Sequence, residues 1–167
     1  MLKPLLFLFL LVSTCVAIHG GGMMLGLRWL GRSWPRQAAD YTPLRAFWFL
    51  ARVVYGLLLL HLLQIVVWAS FYQLDGCFPD FETSFYFSAT SYSTVGFGDV
   101  VLTDDWRILG AVEAVTGVLM FGWSTGVLFS VVHHFHGHYL RSLLPVHSQQ
   151  GNDRHGDRVS SKPSGHD

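Results

Sequence analysis

Three long stretches of this chain are apolar and contain almost no Asp, Glu, Lys or Arg. They are residues 4–27, 53–74 and 108–140, the last interrupted only by Glu113. A membrane-spanning helix needs about 20 mostly apolar residues, and in lipid its backbone must satisfy its own hydrogen bonds. The pattern therefore predicts three membrane-spanning helices, at roughly residues 4–27, 48–72 and 108–132.

The first stretch has a second interpretation. Lys3 and the apolar run from Leu5 to Leu11 resemble the start of a signal peptide, which would be cleaved. Charge favours a retained helix, because the following loop carries five arginines against the single acid Asp40. Such a loop is cytoplasmic by the positive-inside rule, and cleavage would leave it outside. The arginines are Arg28, Arg32, Arg36, Arg45 and Arg52.

The segment 75–107 has the opposite charge. It carries six acids against one base, Arg107, and it follows the second span, so we expect it to lie outside. The expected topology is N-terminus outside and C-terminus in the cytoplasm of a cell that holds the protein in its plasma or inner membrane. The acids are Asp75, Asp80, Glu82, Asp99, Asp104 and Asp105.

Composition narrows the class of protein further. Of the 167 residues, 51% are hydrophobic and only 13% are charged, against about 25% charged in an average soluble domain. This argues against a soluble enzyme. The formal net charge is zero, which argues against a nucleic-acid partner. Two cysteines, Cys15 and Cys77, form neither a disulfide framework nor a zinc pattern.

The external segment contains a short apolar stretch that begins after Pro79. Asp80 is a favourable helix cap, and the run to Thr90 is too short to cross a bilayer. We therefore expect a re-entrant half-helix over residues 80–90. Its C-terminal end, which is partly negative, favours a cation nearby.

The half-helix is followed by Thr94-Val95-Gly96-Phe97-Gly98-Asp99. A cation that leaves water needs replacement oxygens, and successive backbone carbonyls can supply them if they all point one way. Alternating backbone conformations of that kind need residues such as Gly96 and Gly98. Thr94 adds a hydroxyl oxygen at the inner end.

This run resembles the selectivity filter of potassium channels, whose usual form is T-V-G-Y-G-D. The resemblance covers about residues 44–140, where span, half-helix, filter and span follow in the order of the two-helix pore domain of that superfamily. The whole chain looks like a small prokaryotic channel with one extra N-terminal helix. It implies an all-α membrane protein with an N-terminal transmembrane helix (1–31), a cytoplasmic loop (32–43), a potassium-channel pore domain (44–140) and a disordered cytoplasmic tail (141–167).

The resemblance also implies roles for single residues. K+ would bind at Thr94, Val95, Gly96 and Phe97, with Gly98 completing the filter and Asp99 at the outer mouth. Phe97 replaces the commoner tyrosine and lacks a hydroxyl that can brace the filter, so filter stability is in question. Support from behind is expected of Tyr86 and Phe87, which take the place of an aromatic cuff, and of Thr90, which takes that of a buried glutamate.

A carbonyl ring needs four such loops in this family, and the chain has one. The resemblance therefore implies a homotetramer in membrane lipid that conducts K+ passively, with no resident cofactor and no enzyme activity. Alternatives are a less selective cation channel and a subunit of a potassium transporter, which usually carries four pore loops in one chain. A membrane-bound hydrolase is supported only by G-x-S-x-G at Gly122–Gly126, which needs a strand before it and a helix after it.

Other polar or small residues have open roles. Gly117 is a candidate gating hinge or a helix-packing glycine. Glu113 is a regulatory candidate, because an acid within a span is functional by default; it either forms a structural hydrogen bond, with His61 as a candidate partner, or influences the ion. The histidines His133, His134, His136 and His138 either anchor a helix end at the membrane interface or sense pH or a metal.

Overall fold

A computed structural model describes residues 2–33 and 43–143 of the chain, and the side chains of residues 5–32 and 44–133. These residues form four α-helices. They are α1 (Leu2–Ser33), α2 (Pro43–Leu74), α3 (Phe81–Tyr92) and α4 (Arg107–Leu143). The expected loop 32–43 and tail 141–167 lie almost wholly outside the described residues.

Three of the helices are long and apolar enough to cross a membrane, which confirms the three predicted spans. The candidate spans are Leu5–Arg32, Leu44–Leu74 and Arg107–His133. The helices extend beyond the ranges predicted from the apolar pattern. That pattern marks only the part of a helix that lies in hydrocarbon, whereas a helix also continues through the more polar interface.

Helix α1 runs without interruption through the triple glycine Gly20–Gly22, where low helix propensity is offset by packing. A Cβ atom on Gly22 would collide with the side chain of Leu60 in α2. One on Gly20 would lie 3.4 Å from the ring of Trp123 in α4. The absence of side chains at these positions lets α1 lie close against both other spanning helices.

Helix α3 has the length and the cap of a re-entrant helix. Its 12 residues rise about 18 Å, well short of the roughly 30 Å of hydrocarbon. Asp80 is the N-cap and accepts a hydrogen bond from the Thr83 backbone N–H at 2.7 Å, as the sequence predicts. The helix ends two residues later than expected, at Tyr92.

The main core lies where α3 packs between α2 and α4. Aromatic side chains dominate it: Tyr72 meets Phe87 edge to face, with ring centroids 5.3 Å apart, and Phe78 lies 5.1 Å from Phe87. Trp68 and Leu109 are fully buried beside them, and Leu11 and Cys15 of α1 close the cluster. The half-helix is thus held by apolar contacts with both flanking spans.

Candidate ion-conducting site

The segment from Thr94 to Asp99, here called the filter segment, follows directly on α3. Its backbone alternates: φ is 62° at Thr94, 49° at Gly96 and 80° at Gly98. Glycine adopts positive φ freely, but for threonine the left-handed conformation costs about 1–2 kcal/mol. Thr94 is the only non-glycine residue with positive φ in the described part of the chain, and strain of this kind is typical of functional sites.

Hydrogen bonds tie the inner end of the filter segment to the last turn of α3. The Thr94 N–H donates to the Ser91 carbonyl at 2.9 Å, and the Gly96 N–H donates to the Thr90 carbonyl at 3.1 Å. Within residues 5–32 and 44–133, no backbone N–H donates to the carbonyl oxygens of the filter segment. Those oxygens remain free to coordinate an ion.

At the C-terminal end of the filter segment, Tyr86 of α3 reaches Asp99. Its hydroxyl donates a hydrogen bond to Asp99 Oδ2 at 2.9 Å. The bond to the Asp99 carboxylate raises the pKa of the Tyr86 phenol, so the phenol keeps the proton that it donates. Asp99 is exposed, where it attracts cations.

The other two residues expected to support the filter contact different groups. Phe87 is buried in the aromatic core behind the filter segment. Thr90 donates its hydroxyl hydrogen to the Phe87 carbonyl at 3.0 Å, a bond within its own helix. Among the described residues, Tyr86 is thus the side chain that hydrogen-bonds Asp99.

Glu113 of α4 is fully buried and joins three helices. Its Oε2 accepts a hydrogen bond from the Tyr72 hydroxyl of α2 at 2.8 Å. Its Oε1 contacts the Ser88 hydroxyl of α3, which also lies 3.1 Å from the Ile65 carbonyl oxygen. His61, the candidate partner, bonds Tyr92 and Ser124 instead of Glu113.

A second buried polar cluster, here called the polar ring, joins all four helices. Tyr92, the last residue of α3, lies with its hydroxyl 3.0 Å from Gln64 Oε1 and 3.1 Å from His61 Nδ1. His61 Nε2 lies 3.0 Å from the Ser124 hydroxyl, which is 3.3 Å from His19 Nε2. The ring closes between His19 Nδ1 and Gln64 Nε2 at 2.9 Å.

Most of the polar ring is not predicted from the sequence. The signal for it is present, because His19 and Gln64 are the conspicuous polar side chains in otherwise apolar spans. What the sequence does not contain is the rotation of each helix, which decides whether such a side chain faces lipid or a partner. Ser124, the central residue of the G-x-S-x-G match, lies within the continuous helix α4 and belongs to this ring.

Gly117 lies at the point where α4 crosses the end of α3. It is buried, and a Cβ atom on it would collide with the carbonyl oxygen of Tyr92. Close packing therefore accounts for glycine at this position. The hinge role stays a prediction.

The histidines at the end of α4 lie at the edge of the described region. The His133 ring stacks on Phe129 at a centroid distance of 5.9 Å. The side chains of His134, His136 and His138 lie outside the described residues. Among the side chains that are described, no three His, Cys, Asp or Glu group together as metal ligands do.

Three membrane-length helices, a re-entrant helix and a backbone of alternating φ define a multi-pass membrane protein with a pore loop. Residues 57–134 match the family model described as Ion channel. They form an ion-channel pore domain, which a candidate transmembrane helix precedes, as the resemblance implied. An ion channel is a transporter and not an enzyme. No curated protein and no solved structure matches the chain.

Proposed function

We propose that the protein is a potassium-selective channel that conducts K+ passively through a homotetrameric, carbonyl-lined filter. One observation carries this proposal: Thr94-Val95-Gly96-Phe97-Gly98-Asp99 has positive φ at every second residue from Thr94 to Gly98. Such alternation turns successive carbonyls to one side, where they replace the hydration shell of a cation. Thr94 is the filter residue that adds a hydroxyl to these carbonyls.

Assembly into a tetramer follows from the number of loops. One chain supplies carbonyls from one side only, and a closed symmetric ring of four chains surrounds the ion. The filter segment supports this arrangement, because its backbone carbonyls accept no backbone hydrogen bond within the described residues and lipid cannot satisfy them. A ring of chains would enclose these carbonyls and cover Val95 and Phe97, which are exposed in a single chain.

Flux into liposomes that contain the purified protein tests the proposal. K+ influx should exceed Na+ influx, and the Gly96→Ala variant should lose K+ influx because its side chain strains the backbone at φ 49°. Gly76→Ala is the matched control. Gly76 also has positive φ, at 72°, but it lies in the turn after α2, so the same kind of strain there should leave influx intact.

Three results would contradict the proposal in different ways. Equal K+ and Na+ influx would favour the less selective cation channel. The absence of influx in the wild type, or influx unchanged by Gly96→Ala, would remove the filter segment as the conducting site. A native mass other than that of four chains would rule out the tetramer.

A further inference from the structure

We propose that His19 of the N-terminal helix is a positioning residue for the ion filter, and that it acts through the polar ring. This inference rests on the proposed function, since it assigns to α1 a part in holding the conducting segment. The polar ring consists of His19, Gln64, Tyr92, His61 and Ser124, each hydrogen-bonded to the next.

The polar ring includes Tyr92, which lies just before the filter segment in the chain. Tyr92 is the last residue of α3, and only Ser93 separates it from Thr94. Its hydroxyl belongs to the ring, whereas its carbonyl oxygen lies against Gly117 of α4. Tyr92 is therefore held at its side chain and at its backbone, and the side-chain restraint passes through α1.

A single carbonyl group fixes the direction of every bond in the polar ring. The Leu60 carbonyl can only accept, and it lies 3.2 Å from Gln64 Nε2. The amide nitrogen of Gln64 must therefore face Leu60 and also His19 Nδ1, to which it donates at 2.9 Å. A nitrogen that accepts carries no proton, so the proton of the neutral His19 ring lies on Nε2.

The remaining bonds follow from this one. His19 Nε2 donates to the Ser124 oxygen. With its nitrogen placed, the Gln64 amide turns its oxygen to Tyr92, and this oxygen can only accept, so the Tyr92 hydrogen points to Gln64 Oε1. His61 Nδ1 must then carry a proton and donate to the Tyr92 oxygen. His61 Nε2 is left without a proton and accepts from the Ser124 hydroxyl, which closes the circuit.

The circuit satisfies every polar group that it contains. Each member donates one bond and accepts one, and the second N–H of Gln64 serves Leu60. All five side chains are buried within one chain, with at most 7% of their surface exposed, at a depth where an unsatisfied polar group is costly. Removing His19 would deprive both Gln64 and Ser124 of a partner. Gln64 in turn hydrogen-bonds Tyr92, and Ser124 hydrogen-bonds His61.

The protonation pattern provides a test that does not depend on conduction. Solid-state NMR of the full-length protein in liposomes, with ¹⁵N-labelled histidine, should show two different neutral tautomers. His19 should carry its proton on Nε2 and His61 on Nδ1. Loss of one signal in His19→Leu and of the other in His61→Leu would assign them. The same tautomer at both sites, or a charged ring at either, would overturn the polar ring.

Selectivity tests the positioning role. In His19→Leu, the K+/Na+ permeability ratio should fall about tenfold, because two buried polar groups lose partners beside the filter. Ser13→Leu is the matched control, since Ser13 is exposed on the same helix, and it should keep the wild-type ratio. Ser124→Ala removes two of the five links with a smaller change in volume, and it replaces His19→Leu if that variant does not assemble.

The outcomes separate this inference from the proposed function. A wild-type ratio in assembled His19→Leu or Ser124→Ala, with the expected tautomers, would overturn the positioning role and leave the potassium channel in place. A wild type without K+ selectivity would overturn the proposed function and with it the positioning role. The two tautomers would even then establish the polar ring as part of the fold.

Discussion

The buried carboxyl group of Glu113 takes part in contacts that need three hydrogens. These are Tyr72 to Glu113, Ser88 to Glu113 and Ser88 to the Ile65 carbonyl. The two hydroxyl groups supply two hydrogens, so we expect a proton on Glu113 to supply the third. A neutral acid would donate to Ser88, which would donate to Ile65, and this arrangement would avoid a buried unpaired charge.

Substitution of Glu113 tests its protonation. Glu113→Gln should keep nearly wild-type stability, because the amide nitrogen can donate to Ser88 while the oxygen accepts from Tyr72. Glu113→Ala should lower the free energy of unfolding by about 2 kcal/mol, since it leaves the buried Tyr72 hydroxyl without a partner. Thermal unfolding in detergent measures both, with the exposed Glu82→Gln as the control. Equal destabilisation by Gln and Ala would indicate a charged carboxylate.

The hydrogen bond between Tyr86 and Asp99 predicts both a mutational effect and a pH profile. Tyr86→Phe should lower the K+/Na+ permeability ratio a few-fold in the wild type but change it little in an Asp99→Ala background, where the hydrogen bond is already absent. The raised pKa of Tyr86 means that the bond is fully present below the ordinary phenol pKa of about 10. It is lost only as pH rises through the raised value.

Single-channel recording at several pH values measures that profile. Selectivity of the wild type should stay constant from neutral pH to about pH 10 and, above that, approach that of Tyr86→Phe. Tyr86→Phe is the comparison, because it lacks the phenol and should show no such alkaline change. A decline that the two proteins share would assign the titration to another group.

At the scale of single residues, a local pattern was predictable and a distant partner was not. The positive φ at Gly96 and Gly98 follows from a run of neighbours in the sequence, and so does the cap at Asp80. The partners of His61 and Glu113 depend on how far each long helix is rotated about its axis. A periodic apolar pattern would report that rotation, but spans that are apolar all round do not.

The crossing of α4 over the end of α3 is the element-scale feature that Gly117 makes possible. Gly117→Ala should destabilise the assembled protein by about 2 kcal/mol or more, because its methyl group would push α4 away from the Tyr92 carbonyl. Gly122→Ala is the comparison within the same helix, since nothing lies within 4 Å of a Cβ atom there. Thermal unfolding of the assembled protein measures the difference.

The candidate hinge role predicts something else for the same variant. A hinge glycine replaced by alanine would leave the protein folded and assembled with normal stability and would lower only its open probability. Stability equal to that of Gly122→Ala, combined with reduced opening, would therefore contradict the packing role of Gly117. Reduced stability with loss of the K+/Na+ preference would support it, since Tyr92 adjoins the filter segment.

The elements themselves were largely predictable from charge and length. Absence of charge located all three spans, and the short run after Asp80 identified the re-entrant helix. The docking of α1 was not predictable, because it depends on the close approach at Gly20 and Gly22 and on His19 meeting Gln64. Helix propensity argues against a helix at these glycines, because glycine is a weak helix former.

At the scale of the whole molecule, the zero net charge hides two opposite charge clusters. Five arginines against one acid lie in residues 28–52, and six acids against one base lie in residues 75–107. Basic loops stay in the cytoplasm, so the chain should begin outside, and the acidic segment around the filter should face the outside, where it attracts cations.

Labelling of single cysteines tests that topology. In a Cys15→Ala, Cys77→Ala background, Thr103→Cys lies in the acidic segment, where Thr103 is exposed, and should react with a membrane-impermeant maleimide on intact cells. Ala39→Cys in the basic loop and Ser160→Cys in the tail should react only after the membrane is permeabilised.

The same labels decide whether α1 is retained. If residues 1–27 were a cleaved signal peptide, the basic loop would lie outside, and each later segment would be inverted. Ala39→Cys and Ser160→Cys would then react on intact cells, and Thr103→Cys would be protected. Cleavage would also remove His19 from the mature protein and open the polar ring, so topology and filter support depend on the same helix. Retention of α1 therefore predicts both the labelling pattern and the Nε2-protonated signal of His19.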